Sequence, residues 1–450
     1  MRYDGQKVLV VGLGASGQAA VRFFARRGAR VEATDSSNPE RLGAIIESLR
    51  PYLAEIHLGG HPDKVFLEQD LIVPSPGVDW RLPQLRAARH NGVRVAGELD
   101  FAADELRGRV IGVTGANGKT TTVSLIGHIL REAGLRTVVG GNIGRPLLDM
   151  VEESTDDQWS VLELSSFQLE AASAFRCHIA AILNITPDHL DRHGSFEAYV
   201  AAKAKILASQ TPDDAAVLNR DDAATAALAG DVKGRLVWFQ RSRPADRGAW
   251  ADGGRIWFEG RPVGSTDLPI RGAHNLENAL AAAAVAALAG VPDHAIASGL
   301  QSFQAVEHRL EKVATIGGVD YYNDSKATNV DATRKAVESF AGGLWLMLGG
   351  RDKQGDFASL ADLLRGRVRE LLLVGEAAPT IRAQLEGVAP LVDCGTIEAA
   401  LRYAAERAQP GETVLLSPAC ASFDQFENYA RRGREFKRLV AALATEPKED

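Results

Sequence analysis

Short runs of apolar, β-branched residues alternate with Ala-, Leu- and Arg-rich segments of helical period along the whole chain. The runs KVLVVG, ARVEATD and DLIVPSPG come first, then RVIGVTG, WSVLELSS and IAAILNIT, and finally LWLMLGG, ELLLVGE and TVLLSPA. Strands spaced in this way predict parallel α/β sheets throughout. Breaks in the pattern divide the chain into three units, 1–100, 101–305 and 306–450. The first break falls near GELDFAADELRG, where a polar helix follows the strand VRVAG, and the second near SFQAVEHRLE, after an Ala-rich helix. Segment 211–272, with AAVLN, RLVWFQ and GRIWFEGRPV, predicts a small extra sheet on the middle unit.

Composition narrows the function without naming it. The 450 residues are 45% hydrophobic, enough for several cores. A formal charge of -7 and the lack of a long Lys/Arg run argue against a nucleic-acid binder. The opening MRYDGQKVLVVGLG has no leader pattern, and ALAAAAVAALAG is too short and Ala-rich to span a bilayer, so a cytoplasmic protein is expected. Cys177, Cys394 and Cys420 stand far apart without CxxC spacing, which favours isolated thiols over disulfides or zinc.

Two Gly-rich loops carry the chemistry. Gly12, Gly14 and Gly17 sit between a strand and the helix QAAVRFFARRG, and the next strand ends in Asp35. This is the dinucleotide-binding pattern, in which backbone N–H groups approach a pyrophosphate and the acidic residue takes a ribose. NAD fits the turn, and so does any other diphosphate nucleotide. The second loop, TGANGKT, follows the strand RVIGV and opens a helix, so Gly115, Asn117, Gly118, Lys119, Thr120 and Thr121 converge on a triphosphate and its magnesium. Strict P-loop spacing asks for glycine where Val113 stands. Glu163, near the end of WSVLELSS, is placed to ligate that magnesium, or is an exposed edge residue.

On a helix beginning near Ser195, Phe196, Val200, Lys203 and Leu207 fall on one stripe and Lys205 on the other face, which turns Lys203 inward. Such a lysine snorkels, pairs with phosphate, or, once neutral, takes up carbon dioxide as a carbamate. His189, just before it, offers an imidazole to a second metal. Asn275 reads as a helix N-cap with Asn278 in the first turn, where its amide suits an adenine edge. Arg309, Asp324, Lys326, Lys353 and Ser422 are anion- and ribose-binding types on strand-to-helix loops of the third unit.

TGANGKTTT, GGNIG, ELSSFQL, NITPDHLDRH, AAKAKI, HNLENA, HRLE, NDSKATN and SPACASFDQF occur in one order at one set of spacings. In these the chain resembles the Mur ligases over nearly its whole length, and NDSKATN and SPACASFDQF point to the D-glutamate-adding type. The resemblance implies a Rossmann-like domain for a uridine diphosphate sugar, a central ATPase domain that tolerates the missing glycine, and a Rossmann-like C-terminal domain. It implies that Lys119, Thr120 and Glu163 bind ATP phosphates and one magnesium ion, and that His189 and carbamylated Lys203 hold a second. Asn278 reads adenine, and Arg309, Asp324 and Lys326 bind ATP. Gly14, Ala15, Ser16, Asp35, Ser36, Gly77 and Asn142 bind UDP-N-acetylmuramoyl-L-alanine. Thr328, Lys353, Ser422, Phe423 and Tyr429 bind D-glutamate.

The implied reaction is ATP-dependent ligation through an acyl phosphate and a tetrahedral intermediate, by a monomer that needs neither nucleic acid nor membrane. Two positions depart from the family: Ser37 replaces a frequent Arg, and Tyr429 a familiar Phe. The competing expectations are an L-alanine-adding Mur ligase, an NAD-dependent dehydrogenase using the first loop, and a non-catalytic nucleotide-binding module.

Overall fold

The computed structural model describes residues 2–241, 247–270, 272–304, 307–352 and 355–444. Its first sheet holds β1 (Lys7–Val11), β2 (Arg30–Asp35), β3 (Glu55–Leu58), β4 (Leu71–Pro74) and β5 (Arg94–Val95). They are ordered β3-β2-β1-β4-β5, and every neighbouring pair is parallel. The order reverses at β1 and β4. In an open parallel sheet the crevice at that switch, outside the strand C-termini, is where ligands bind.

The middle sheet contains β6 (Arg109–Thr114), β7 (Thr137–Gly141), β8 (Trp159–Glu163), β9 (Ile179–Ile182) and β10 (Ala215–Asn219), followed by β11 (Arg235–Gln240), β12 (Gly248–Asp252), β13 (Arg255–Phe258) and β14 (Arg261–Ser265). Its order is β14-β13-β12-β11-β10-β9-β6-β8-β7. The strand-rich segment therefore extends the central sheet instead of forming a separate small one. The reason is that β10 pairs in parallel with β9, Ala215 to Ile179 through Leu218 to Ile182, and every residue of β10 is buried. Antiparallel pairing begins only at β12 and β13.

The third sheet is β15 (Glu311–Ile316), β16 (Val319–Asn323), β17 (Leu344–Gly349), β18 (Val368–Val374), β19 (Leu391–Gly395) and β20 (Thr413–Leu416), ordered β15-β16-β20-β17-β18-β19. It is parallel apart from the β15–β16 pair. Two apolar clusters cover it, one containing Leu346, Leu371 and Leu415, the other Met347, Leu372 and Leu416. These residues alternate along β17, β18 and β20, as side chains on opposite faces of a strand must.

The chain divides into two compact units, Met1–Asp267 with Glu277–Gln301, and Leu268–Leu276 with Ser302–Asp450. The first two sheets share the larger unit because one apolar cluster runs from Val8, Phe24 and Leu99 to Leu148, Leu162 and Tyr199. The helix Glu98–Ala103 is the seam. It is not the polar linker its charges suggest, since Glu98, Leu99, Asp100, Phe101 and Ala102 are all buried. Its two carboxylates grip the ends of the helix Ser166–Ala171: Gln168 Nε2 donates to Glu98 at 2.6 Å, and the Ser173 N–H donates to Asp100 at 2.7 Å. Gly97 is required for this closeness, because a Cβ there would lie 2.7 Å from the Ala171 methyl.

None of the three thiols forms a disulfide. Cys177 and Cys420 are buried and Cys394 half-buried. Burial pushes the Cys177 thiol up to about 12. No helix among the described residues is long and apolar enough to cross a membrane.

Candidate active site

Parallel strands deliver their following loops to one edge of a sheet. In the middle sheet β6 lies between β9 and β8, so the loops after β6, β7, β8 and β9 meet there. The loop after β6 turns through Gly118 at φ 86°, a left-handed conformation that glycine adopts without penalty. Any Cβ on Gly118 would lie 2.3 Å from Asn278 Oδ1. Val113, where P-loop spacing asks for glycine, is a buried residue of β6. Gly112 beside it serves packing: a Cβ there would lie 2.4 Å from Cys177 Sγ.

The helix Lys119–Glu132 starts directly after Gly118, and its first N–H groups have no acceptor within the helix, which suits an anion. Lys119 Nζ donates to the carbonyls of Gly115 (2.8 Å) and Ala116 (2.9 Å). Thr120 Oγ1 donates to Glu163 Oε2 at 2.8 Å, and Asn142 Nδ2 donates to Glu163 Oε1 at 2.9 Å. Glu163 is thus a buried carboxylate beside the loop, and the strand register places it opposite Val113. Hydroxyl and carboxylate oxygens in this position are the donor set a magnesium ion takes from a nucleotide-binding protein.

Lys203 is buried, and its Nζ donates at 2.8 Å to the Gly115 carbonyl that Lys119 also uses. Burial, and then the Lys119 charge, hold its amine well below the ordinary lysine range, against the opposing pull of Asp188 and Glu163. Its inward direction agrees with the sequence pattern, but the stripe is turned. Tyr199, Ala202, Ile206 and Leu207 are buried with it, whereas Phe196 and Val200 are only partly covered. Ser195 caps this helix, accepting from the Ala198 N–H. His189 heads the short helix Leu190–His193 at φ 54°, with its ring edge-on to Phe167 at 4.9 Å.

Asn278 lies in the helix Ala273–Leu288, which begins two residues before the expected cap. Asn275 is therefore a buried residue inside the helix, with its N–H donating to the Gly272 carbonyl. Asn278 is buried too and accepts from Thr122 Oγ1 at 3.2 Å, which sets it against the phosphate loop. Asn184 was not anticipated. It clasps the loop by accepting from the Asn117 N–H at 2.8 Å and donating to the Asn117 carbonyl at 3.1 Å. Its place two residues after β9, in NITPDH, was the available signal.

At the switch point of the first sheet, Gly14, Ala15 and Ser16 follow β1, Ser36 follows β2 and Gly77 follows β4. The Asp35 carboxylate is occupied: it accepts from the N–H groups of Leu13 (2.7 Å) and Ser37 (2.8 Å). Burial pushes this carboxyl up, but those two N–H groups, with the Ser37 hydroxyl and the nearby His61, together keep it below its usual value. Ser37 so contributes through its backbone where the family's Arg is missing. A Cβ at Gly17 would sit 1.9 Å from the Gly12 carbonyl, so the third glycine of the pattern serves close helix packing.

The remaining candidates sit on loops of the third sheet. Asp324 is buried; it accepts from Ser417 Oγ (2.8 Å) and the Leu310 N–H (3.2 Å), and burial raises it to about 7 against the pull of Arg309. The Lys326 ammonium lies 5.1 Å from the Tyr429 ring. The Tyr429 carbonyl accepts from Ser325 Oγ at 2.8 Å, an attachment that does not depend on which aromatic side chain is present. Ser422 is buried, Phe423 is 62% exposed, and Thr328 is half-buried. Lys353 lies outside the described residues.

Arg432 was missed by sequence reasoning. It is buried and donates to the Ser325 hydroxyl and to the carbonyls of Ser325 and Cys420, tying the loops after β16 and β20 together. Backbone strain concentrates in these regions. Non-glycine residues with positive φ include His189, His308 and Leu310 on either side of Arg309, and Ala419 just before Ser422.

Family models match all three parts of the chain: a Mur ligase MurD-like N-terminal domain over 6–97, a Mur ligase middle domain over 113–286, and a Mur ligase glutamate ligase domain over 308–420. The chain is 51% identical over 449 residues to a protein of Acidobacterium capsulatum named UDP-N-acetylmuramoylalanine--D-glutamate ligase, covering 98% of this chain and 97% of that one. A protein of the same name from Solibacter usitatus is 50% identical over the full length of both. Among solved structures, a Thermotoga maritima UDP-N-acetylmuramate-alanine ligase matches with a TM-score of 0.63 at 19% identity, covering 97% of this chain and 100% of that one. MurF of Acinetobacter baumannii matches with 0.62 at 21%, covering 99% and 91%. At those identities the structures speak for the fold alone, whereas the full-length relatives decide the kinship: the chain belongs to the Mur ligase family.

Proposed function

We propose that the chain is an ATP-dependent, ADP-forming ligase that adds D-glutamate to UDP-N-acetylmuramoyl-L-alanine in cytoplasmic peptidoglycan precursor synthesis, working as a monomer. The observation that carries this reading is the gathering of Lys119, Thr120, Asn142, Glu163 and Lys203 around one Gly-rich loop. Residues 1–100 take the uridine diphosphate sugar, with Gly14, Ala15, Ser16, Ser36 and Gly77 lining the switch point and Asp35 shaping it. Residues 101–305 bind ATP, and 306–450 supply Arg309, Asp324 and Lys326 for the nucleotide and Thr328, Lys353, Ser422, Phe423 and Tyr429 for D-glutamate.

The physical difficulty is to bring the substrate's alanyl carboxylate against the γ-phosphate of ATP, because both are anions. Lys119 and the N–H groups of its helix offset that repulsion where charge builds up. Thr120 and Glu163 would hold a magnesium ion at one position and His189 and modified Lys203 a second, and these ions would supply the remaining positive charge. The oxygen donors around Glu163 fit such an ion. A neutral Lys203 amine is the form that adds carbon dioxide, and its burial beside a second ammonium favours neutrality. Attack of the alanyl carboxylate on the γ-phosphate breaks its bond to ADP and gives an acyl phosphate; the unprotonated amine of D-glutamate then attacks the acyl carbon, and the tetrahedral intermediate loses a proton and collapses to the amide and phosphate.

An ADP-release assay with UDP-N-acetylmuramoyl-L-alanine and a panel of D- and L-amino acids tests the proposal. Turnover is expected with D-glutamate, together with a hydroxamate adduct when hydroxylamine replaces the amino acid. Turnover with L-alanine and UDP-N-acetylmuramate, or silence in both assays, defeats it.

A further inference from the structure

Arg192 joins the loop after β4, in the first sheet, to the short helix that follows His189 beside the middle sheet. It sits three residues after His189, on the helix Leu190–His193. Its guanidinium donates to the Val78 carbonyl at 3.1 Å and to Asp79 Oδ1 at 3.2 Å, both directly after Gly77 in the loop that follows β4. It also lies 3.0 Å from Glu170 Oε2 on the helix Ser166–Ala171 and 5.4 Å from the centre of the Phe167 ring. The same ring meets His189 edge-on at 4.9 Å and stacks on His193 at 5.5 Å. The Arg192 side chain is 12% exposed, so these contacts are largely shielded from solvent and salt.

A planar guanidinium held on several sides transmits position better than a flexible ammonium, because its donors are fixed relative to one another. His189 has little freedom of its own, with a left-handed backbone and a ring against Phe167. Movement of the Val78–Asp79 segment therefore has a direct mechanical route to the imidazole. We infer that Arg192 is a positioning residue that couples occupancy of the Gly77 loop by the sugar nucleotide to the setting of His189 for its metal. The inference rests on the proposed roles of Gly77 and His189. Its consequence is ordered readiness: the metal-nucleotide site is set fully once the acceptor sugar is in place.

Calorimetric titration of the full chain with magnesium and a non-hydrolysable ATP analogue, with and without saturating UDP-N-acetylmuramoyl-L-alanine, tests this. The wild-type chain is expected to bind the magnesium nucleotide at least about fivefold more tightly when the sugar nucleotide is present, within the usual range of coupling between sites. Arg192→Met is expected to bring that ratio to within about twofold of unity and to raise the magnesium concentration for half-maximal activity by a similar factor. Asp79→Asn tests the same link without disturbing a buried group, since its side chain is 42% exposed. A mere structural staple would lower the melting temperature and leave the ratio unchanged. Folded variants that keep the wild-type ratio overturn the inference, as does a ratio of one in a wild-type chain that ligates. A wild-type chain that does not bind the sugar nucleotide overturns the proposed function along with it.

Discussion

The Gly115 carbonyl accepts from two amines, Lys119 and Lys203, and two full ammonium charges so close together repel. Lys203 is the one that yields, because it is buried whereas Lys119 is partly exposed. If its working form is an anionic carbamate, the Lys203→Ala variant should lose about 10²- to 10³-fold in rate, as expected for removal of an electrostatic stabiliser. Short-chain carboxylic acids should then restore part of it by placing a carboxylate in the vacated space. Equal activity of the variant without such acids would rule out the role. Helical period made the inward direction of Lys203 legible. The exact stripe was not, because Tyr199 is as buried as Ile206 and Leu207 on the same helix and the pattern gave it no weight. Asn184 and Arg432 escaped notice for a related reason: apart from the Ser325 hydroxyl, their partners are backbone carbonyls and N–H groups, which no sequence pattern marks.

Among elements, parallel strands were the most legible, since burial on both faces leaves an unbroken apolar run. The helix Glu98–Ala103 was the least. Its charges suggest a solvated linker, yet Glu98 and Asp100 are spent on the helix that follows β8, about seventy positions on. Periodicity reports which face is apolar and cannot show that a carboxylate has a distant amide waiting. Burial raises the Glu98 carboxyl, only partly offset by Gln168 and Ser16. A group raised on folding contributes stability that is fully present below its unfolded value, near 4.5, and lost as pH climbs through the folded value. Glu98→Gln should therefore gain stability relative to the parent as the pH is raised from 4 to 8. Urea unfolding at the two pH values measures this, and a difference that does not change with pH would refute it.

For the whole molecule, the three sheets and their order along the chain followed from strand spacing, but the fusion of the first two into one unit did not, because a shared core is built from residues far apart in sequence. Two compact units should give two calorimetric transitions, with enthalpies in proportion to their sizes. A sugar nucleotide held by the first sheet at a hundredfold excess over its dissociation constant adds about 2.7 kcal/mol to the unit that binds it. The transition of larger enthalpy should move up and the smaller stay. Movement of the smaller one alone would place the sugar nucleotide elsewhere.

The state of the three thiols has a practical corollary. A sulfur reacts with maleimides as its thiolate, and here Cys177 is deeply protonated and enclosed, Cys420 is enclosed, and the Cys394 thiol is also held up by burial. A single cysteine placed on an exposed loop would therefore take a fluorescent label well ahead of the native ones, so that optical probes of motion during turnover can be attached without first stripping the chain of its own sulfur.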